Sequence, residues 1–412
     1  IGLPVGIVIG VAGMAGILQM GPRFMAMAPD RLFAGLDLFP FLAMPFFILA
    51  GEIMNRSGIT QGLVKLADAL VGWLRGGMAH SNMVASVMFA GLTGSATADA
   101  AAFGNTLVPA MEKAGYTRRF ACAVTAAGSI IGPTIPPSTL AIIYGSIMGV
   151  SIAGLFAAGI LPGLLICGIC MGVIALLARR LNLPKGDHRP SFRAVWIALK
   201  EGILAAILPV FILGSILAGI ATPTEAAAIA VAYALFVGGV IYRGLSWRDL
   251  YEIGLRTTRI TGVIFLIIAA ATILGWWMTF NQVPQTIADA FLTVSSDPNV
   301  IIGMILVLLL VIGLFMDINA TLIILAPVLA PLTLQIGMDP VHAGIMIILA
   351  LNISLMTPPV GACLFVLASV TKERVEAITS ALWPFILAEF AVLILIAFWP
   401  DLTLFIPRLL GL

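Results

Sequence analysis

Thr93-Gly94-Ser95-Ala96-Thr97-Ala98-Asp99 cuts an apolar stretch in two. Ahead of it, Met83–Leu92 supplies ten residues, a helix of roughly 15 Å, or half of a hydrocarbon core of about 30 Å. A chain that meets a polar tip at that depth is expected to turn back, so the spacing predicts a re-entrant helical hairpin over about 83–111. The arrangement returns 222 positions later, where Ile301–Met316 leads to Asp317-Ile318-Asn319. Hydropathy alone reads Ile301–Met316 as a spanning helix; the repetition reads it as the first arm of a second hairpin, about 300–334.

At the same offset Gly91-Leu92 falls on Gly313-Leu314, Ala98 on Ala320, Pro109 on Pro331, Gly115 on Gly337, and Pro136-Pro137 on Pro358-Pro359. Upstream the register slips slightly, Gly51 matching Gly275 and Ala67-Asp68-Ala69 matching Ala288-Asp289-Ala290. Self-similarity at a fixed spacing marks a duplicated architecture. The expected division is a first repeat, 1–178, with a broken helix about 119–149; a basic linker, 179–200; a second repeat, 201–400, with a broken helix about 343–369; and a C-terminal tail, 401–412.

Composition fixes the solvent. Apolar residues make up 61% of the chain and charged ones 10%, with a mean hydropathy of +1.13, whereas soluble domains run at roughly 45–50% and 25%. Ile203–Ile220, Ala226–Tyr242, Ile260–Phe280 and Ile378–Pro400 are each long enough to cross a bilayer and are apolar on every face, which excludes the period-two pattern of a β-barrel. The fold class is therefore an all-α polytopic membrane protein. A net charge of +2 gives no footprint for nucleic acid.

Charge instead reports topology. Lys113, Arg118 and Arg119 follow Pro109, whereas the equivalent loop Gln335–His342 has no Lys or Arg and carries Asp339. The two loops should face opposite sides, which makes the repeats inverted. Arg179, Arg180, Lys185, Arg189, Arg193 and Lys200 then read as cytoplasmic, as do Arg243–Arg259 and Lys372–Arg374, with Gln282–Asn299 on the other face. Arg23 and Arg31 fall outside against the rule, beside Asp30 and Asp37. Ile203–Ile220 lacks a first-half counterpart, and a further helix is expected ahead of Ile1.

The chemistry is expected where helices break. Ser95 and Asp317 stand at equivalent tips, and both residue types cap helix starts; each serves its own helix or meets a ligand. A proline removes a donor and displaces the carbonyl four residues earlier, so the proline pairs should free the carbonyls of Gly132, Pro133, Ser354 and Leu355. Unpaired carbonyls in lipid cost several kcal/mol each. Sodium, hard and oxygen-seeking, would satisfy them beside the Thr134, Ser138 and Thr357 hydroxyls and the Asp99 and Asp317 carboxylates; the alternative is a kink relieved by neighbouring helices. A carboxylate substrate would sit between the tips, met by Ser95, Thr97, Ser138 and Thr357.

Other polar residues are assigned packing or capping roles. Cys122, Cys167, Cys170 and Cys363 lie in apolar segments, and the Cys167/Cys170 pair lacks the second pair a zinc site needs. Thr222 or Thr224 with Glu225 resembles a capped helix start, Glu52 and Glu389 are expected to reach the membrane interface, and His80, His188 and His342 lack metal-ligand spacing.

Four segments together carry a resemblance: Phe89–Tyr116, which contains Gly91-Leu-Thr-Gly-Ser-Ala-Thr-Ala-Asp99; Gly132-Pro-Thr-Ile-Pro-Pro-Ser138; Thr222-Pro-Thr-Glu-Ala-Ala227; and Thr357-Pro-Pro-Val-Gly361. The chain resembles the large membrane subunit of TRAP transporters, the tripartite ATP-independent periplasmic systems, over nearly its whole length. The resemblance implies a multi-pass permease of the bacterial inner membrane that works as an elevator. It also implies a small four-helix membrane subunit and a periplasmic substrate-binding protein as partners, an organic acid as substrate, and sodium coupling at about two sites. By position Ser95, Asp99, Gly132, Thr134 and Pro136 would serve the first site, and Asp317, Ser354, Thr357 and Gly361 the second. The sequence departs from the family at its amino end, before Gly2-Leu-Pro-Val5, and at Leu355-Met356, where a glycine is common. A channel and a membrane-embedded enzyme are the rival classes; the sequence has no HExxH motif or paired Asp-rich motif to support the second.

Overall fold

The computed structural model describes residues 4–58, 60–186 and 191–412. Gly2, Leu3, His188 and Arg189, which entered the sequence reading, lie outside the described residues. Among those described, helices follow one another without a strand. The first half contains α1 Val5–Met20, α2 Ala28–Leu36, α3 Ala43–Arg56, α4 Thr60–Val71, α5 Gly77–Thr93, α6 Ala96–Lys113, α7 Arg118–Ser129, α8 Thr139–Met148 and α9 Ile152–Arg180. The second contains α10 Phe192–Leu217, α11 Pro223–Phe236, α12 Trp247–Phe280, α13 Val283–Val294, α14 Pro298–Gly313, α15 Ile318–Gln335, α16 Pro340–Ser354, α17 Ala362–Thr371, α18 Val375–Phe398 and α19 Asp401–Leu410.

Six helices are long and apolar enough to cross a membrane: α9, α10, α11 with its continuation to Ile241, α12, α15 and α18. A seventh crossing exists if the pair Arg23–Leu36 and Phe39–Arg56, bent by 59°, is one span. Shifted by 224 positions, that bent pair covers the range of α12. The difference has a local cause. Pro40 lacks a backbone donor and stands where straight α12 has Ile264.

Both anticipated interruptions are present. α5 stops at Thr93 because Gly94 takes a left-handed conformation (φ +57°), and α6 restarts from extended Ser95. α14 stops at Gly313 and α15 restarts from Asp317. The helix pairs begin earlier than the sequence suggested, at Gly77 and Pro298, because short apolar counting missed the polar first turn of each arm. Two further breaks, 130–138 and 355–361, separate α7 from α8 and α16 from α17, and the Pro136-Pro137 and Pro358-Pro359 bonds within them are cis.

Close approach of backbones holds the first tip in place. Gly91 packs face to face with Pro209 of α10, and a Cβ on Gly51 of α3 would stand 2.8 Å from the Leu92 carbonyl oxygen. At the centre, α16 is buried continuously from His342 to Ser354, as expected for a helix apolar all round. α18 crosses both α7 and α9 beside it. Outward, Leu176, Val210, Leu387 and Leu409 are more than half exposed and face lipid.

Within the C-terminal tail, 401–412, α19 packs along α9, and Thr403 Oγ1 lies 2.8 Å from His342 Nδ1. One expectation is corrected. Glu389 does not reach the interface. It is 0% exposed in the middle of α18, with Cys170 Sγ 3.6 Å from its carboxyl oxygen, because α18 packs on α9 at that level.

The packing at Gly91 yields a stability prediction. Gly91→Leu should overpack the α5–α10 contact at a cost of about 1–3 kcal/mol, while Gly303→Ala, with nothing within 4 Å of the added methyl, should be neutral or slightly stabilising. Thermal unfolding of the detergent-solubilised chain followed by size-exclusion chromatography checks both; equal midpoints would contradict the contact.

Candidate functional site between the hairpin tips

A cavity of about 430 Å³ lies where the two tips meet. Residues Thr93–Ala98 line it from the first tip and Asp317–Asn319 from the second. Pro133, Thr139 and Leu140 contribute from the first bend, and Leu355 and Ala362 from the second. The opposite wall is formed by Ile48, Gly51, Glu52 and Asn55 of α3 and by Arg259, Ile260, Val263 and Ile264 of α12. Most of this lining is apolar, with a few polar groups converging on it, as in sites that bind small solutes.

The two tips are chemically different. Asp317 caps α15, its Oδ1 accepting from the Asn319 and Ala320 N–H groups at 3.0 and 3.2 Å. Ser95 occupies the capping position of α6 but makes no capping bond; its hydroxyl turns to Thr97 Oγ1 at 3.3 Å. The start of α6 therefore presents backbone N–H groups to the cavity without a side chain in front of them, the positive end of a helix dipole.

Behind the first tip is a dry polar pocket. Asp99 is 0% exposed; its Oδ1 accepts from the Thr93 hydroxyl and its Oδ2 has no partner. Gly132 leaves the space beside that oxygen, since a Cβ there would overlap Asp99 Oδ2. The Gly132 carbonyl accepts no hydrogen bond among the described residues. A buried carboxylate with a free oxygen costs several kcal/mol unless a positive charge meets it. Oδ2, the Thr93 hydroxyl and the unbonded Gly132 carbonyl are all oxygen donors, the ligand type that suits a small hard cation.

The other freed carbonyls do not stay free. Pro133 O accepts from Ser138 Oγ, Ser354 O from the Thr357 N–H at 3.2 Å, and Leu355 O from the Cys363 N–H at 3.0 Å. In each case a donor from the bend itself or from the start of the next helix answers the carbonyl, so three of the four predicted vacancies are corrected to satisfied groups. The second half also lacks an equivalent acid. Thr321 stands where the first half has Asp99, its hydroxyl bonded to Asp317 O at 2.9 Å. Ser354 Oγ, packed against Gly313, donates to Leu351 O at 2.6 Å, and Thr357 Oγ1 donates to Ile353 O at 2.8 Å. Gly361 begins α17 in a left-handed conformation (φ +47°).

Of the residues expected to meet substrate, Ser95 and Thr97 line the cavity. Ser138 and Thr357 do not: both are buried, Ser138 capping α8 through a bond from the Ala141 N–H, and the neighbouring Thr139 faces the cavity instead. Thr134 is buried in the first bend, where its Oγ1 accepts from Asn352 Nδ2 at 3.1 Å, while Asn352 Oδ1 has no partner. Sequence reasoning missed Asn352, although a single amide in the apolar run Ile345–Ile353 was a signal. Pro136 stands in the first bend away from the cavity lining. Glu52 faces the cavity and pairs with Arg256 at 3.2 Å. Thr222 and Glu225 form a reciprocal capping box at the start of α11.

Comparisons with known proteins give the family. The family model for the tripartite ATP-independent periplasmic transporter, DctM component, matches residues 1–402. The sialic acid TRAP transporter large permease protein SiaM of Vibrio cholerae is 39% identical over 99% of this chain and 95% of its own length. The 2,3-diketo-L-gulonate TRAP transporter large permease protein YiaN of Escherichia coli is 37% identical over 98% and 95%. The isethionate TRAP transporter permease protein DctMQ of Oleidesulfovibrio alaskensis is 38% identical over 98% of this chain, which spans 64% of that protein. Among solved structures, the YdaH transporter of Alcanivorax borkumensis shares the fold at a TM-score of 0.62, with 16% identity and coverage of 92% and 89%. The chain belongs to the DctM family of TRAP transporter large permease components.

Proposed function

We propose that this chain is the permease of a sodium-driven importer of small organic anions in a bacterial inner membrane. The observation that carries the reading is the unpartnered Asp99 Oδ2 against Gly132, directly behind a tip whose uncapped helix start faces the cavity. A cation at Asp99 and an anion at the α6 N-terminus are complementary in charge. Each lowers the cost of carrying the other through a low-dielectric membrane. Relatives named for sialic acid, 2,3-diketo-L-gulonate and isethionate share an acid group, and that group is what an array of N–H donors selects.

Asp99, Thr93 and Gly132 would hold the first ion, with Thr134 and the Pro136 bend shaping the loop around them. Asp317, Ser354, Thr357 and Gly361 are proposed to frame the second half's site, but among the described residues their region offers no orphaned carboxylate, so the stronger cation site is the first. Movement follows from the repeats, taken as inverted. Hairpins α5–α6 and α14–α15 with the broken helices would shift as one block against α1–α4 and α10–α13, alternating access to the tips. A small membrane subunit is supported by the longer DctMQ relative, of which this chain covers 64%. A periplasmic binding protein follows from membership in a tripartite family.

Reconstitution of the full complex in proteoliposomes tests the coupling: anion uptake should follow an imposed sodium gradient, and uptake that ignores sodium and follows a pH gradient would transfer the role to protons. Asp99→Asn and Gly132→Ala should each raise the half-saturating sodium concentration about tenfold or more, through loss of a charge-assisted contact or of the space beside it. Asp317→Ala should cost about 1 kcal/mol of helix capping and lower uptake; wild-type uptake by this variant would remove Asp317 from the site.

A further inference from the structure

Arg259 is the only cationic side chain lining the tip cavity among the described residues. Its neighbours on α12 and α3 are all committed. Arg256 holds Glu52 at 3.2 Å, Arg248 holds Glu252 at 3.2 Å, and Arg56 bridges Asp249 and Glu252 at 2.7 and 3.4 Å. Arg259 makes no ion pair and donates no side-chain hydrogen bond among the described residues. The acids that share its cavity are occupied, Glu52 by Arg256 and Asp317 Oδ1 by its own helix start. Beside the guanidinium the α12 wall is Ile260, Val263 and Ile264, which offers it no acceptor. A planar fork of donors without a counter-ion, set against apolar walls, is the complement of a carboxylate or sulfonate.

Its position adds direction. A second cavity, lined by Glu52, Asn55, Arg56, Glu252 and Arg256, shares Glu52 and Asn55 with the first and continues along α3 and α12 towards the basic start of α12. By the positive-inside rule that end is cytoplasmic. α12 packs chiefly on α1, α2 and α3 and less extensively on α15 of the second hairpin, so Arg259 is assigned to the part that stays behind when the tips move. On the reading of this chain as an elevator for organic anions, we infer that Arg259 is a specificity-determining residue that takes the acid group of the substrate only when the tips are on the cytoplasmic side. It draws the anion off the α6 N-terminus towards the exit, and it has no contact with substrate arriving from the periplasm.

The test uses the full complex in proteoliposomes of known orientation, with radiolabelled sialic acid, succinate and isethionate as probes, taking whichever of these the wild type accumulates. R259Q should raise the half-saturating concentration for exchange from the cytoplasmic face about tenfold, and leave that for binding-protein-delivered uptake from the other face within about twofold. R259K, which keeps the charge but not the fork, should fall between wild type and R259Q. Equal half-saturation for R259Q and wild type on the cytoplasmic face, or an equal rise on both faces, overturns the inference. Accumulation of none of the probes by the wild type overturns the organic-anion reading itself, and this inference with it.

Discussion

Inside a bilayer a backbone N–H or C=O has no water to turn to, and every interruption of a helix must be answered from within the protein or from a solvated cavity. This chain interrupts its helices at two tips and two bends. The tips open into a common cavity, so water or solute meets their loose ends. The first bend is buried and the second exposes Pro359 and Val360, and in both the chain answers for itself: Ser138, Thr357 and Cys363 each return a donor to a carbonyl that proline would have left bare. Gly132 is the exception. Its carbonyl stays free, and the space left by its missing side chain lies beside the free oxygen of Asp99.

The two halves match in where their helices break and differ in chemistry. α6 and α15 begin and end at equivalent positions, and the proline pairs coincide in place and geometry. Yet Asp99 is replaced by Thr321, Gly132 by Ser354 and Ser95 by Asp317. One half thus carries its acid inside the pocket and leaves its helix start bare; the other spends its acid on the helix start and fills the pocket with hydroxyls that bond their own helices.

The wall opposite the tips obeys different constraints. α12 runs unbroken for 34 residues, while its counterpart is bent by 59° around Pro40. A straight helix offers one continuous face along which Arg256 and Arg259, three residues apart, follow the cavity outward. Arg256 neutralises Glu52 on α3, which fixes the helices to each other and leaves the next cation along the face without a partner.

Sequence alone determined the class and the place of the breaks at the two tips and the two proline pairs, because each follows from a rule that acts locally. Lipid demands long apolar helices, glycine and proline set where a helix can stop, and their recurrence at one spacing is visible without coordinates. Asp99 and Gly132, in two separate motifs, were each legible for the same reason. Only the tertiary structure decided what each polar group meets. Ser138 and Thr357, expected at the substrate, bond Pro133 and Ile353 and do not line the cavity; Asn352 meets Thr134 of the other half; Glu389 is enclosed by α9. Arg259, which the sequence offered as one more topological charge, faces the cavity because α12 packs on α3 in that register. A hydrogen bond or a cavity wall joins residues that are far apart along the chain, and local pattern carries no information about that meeting until the helices have packed.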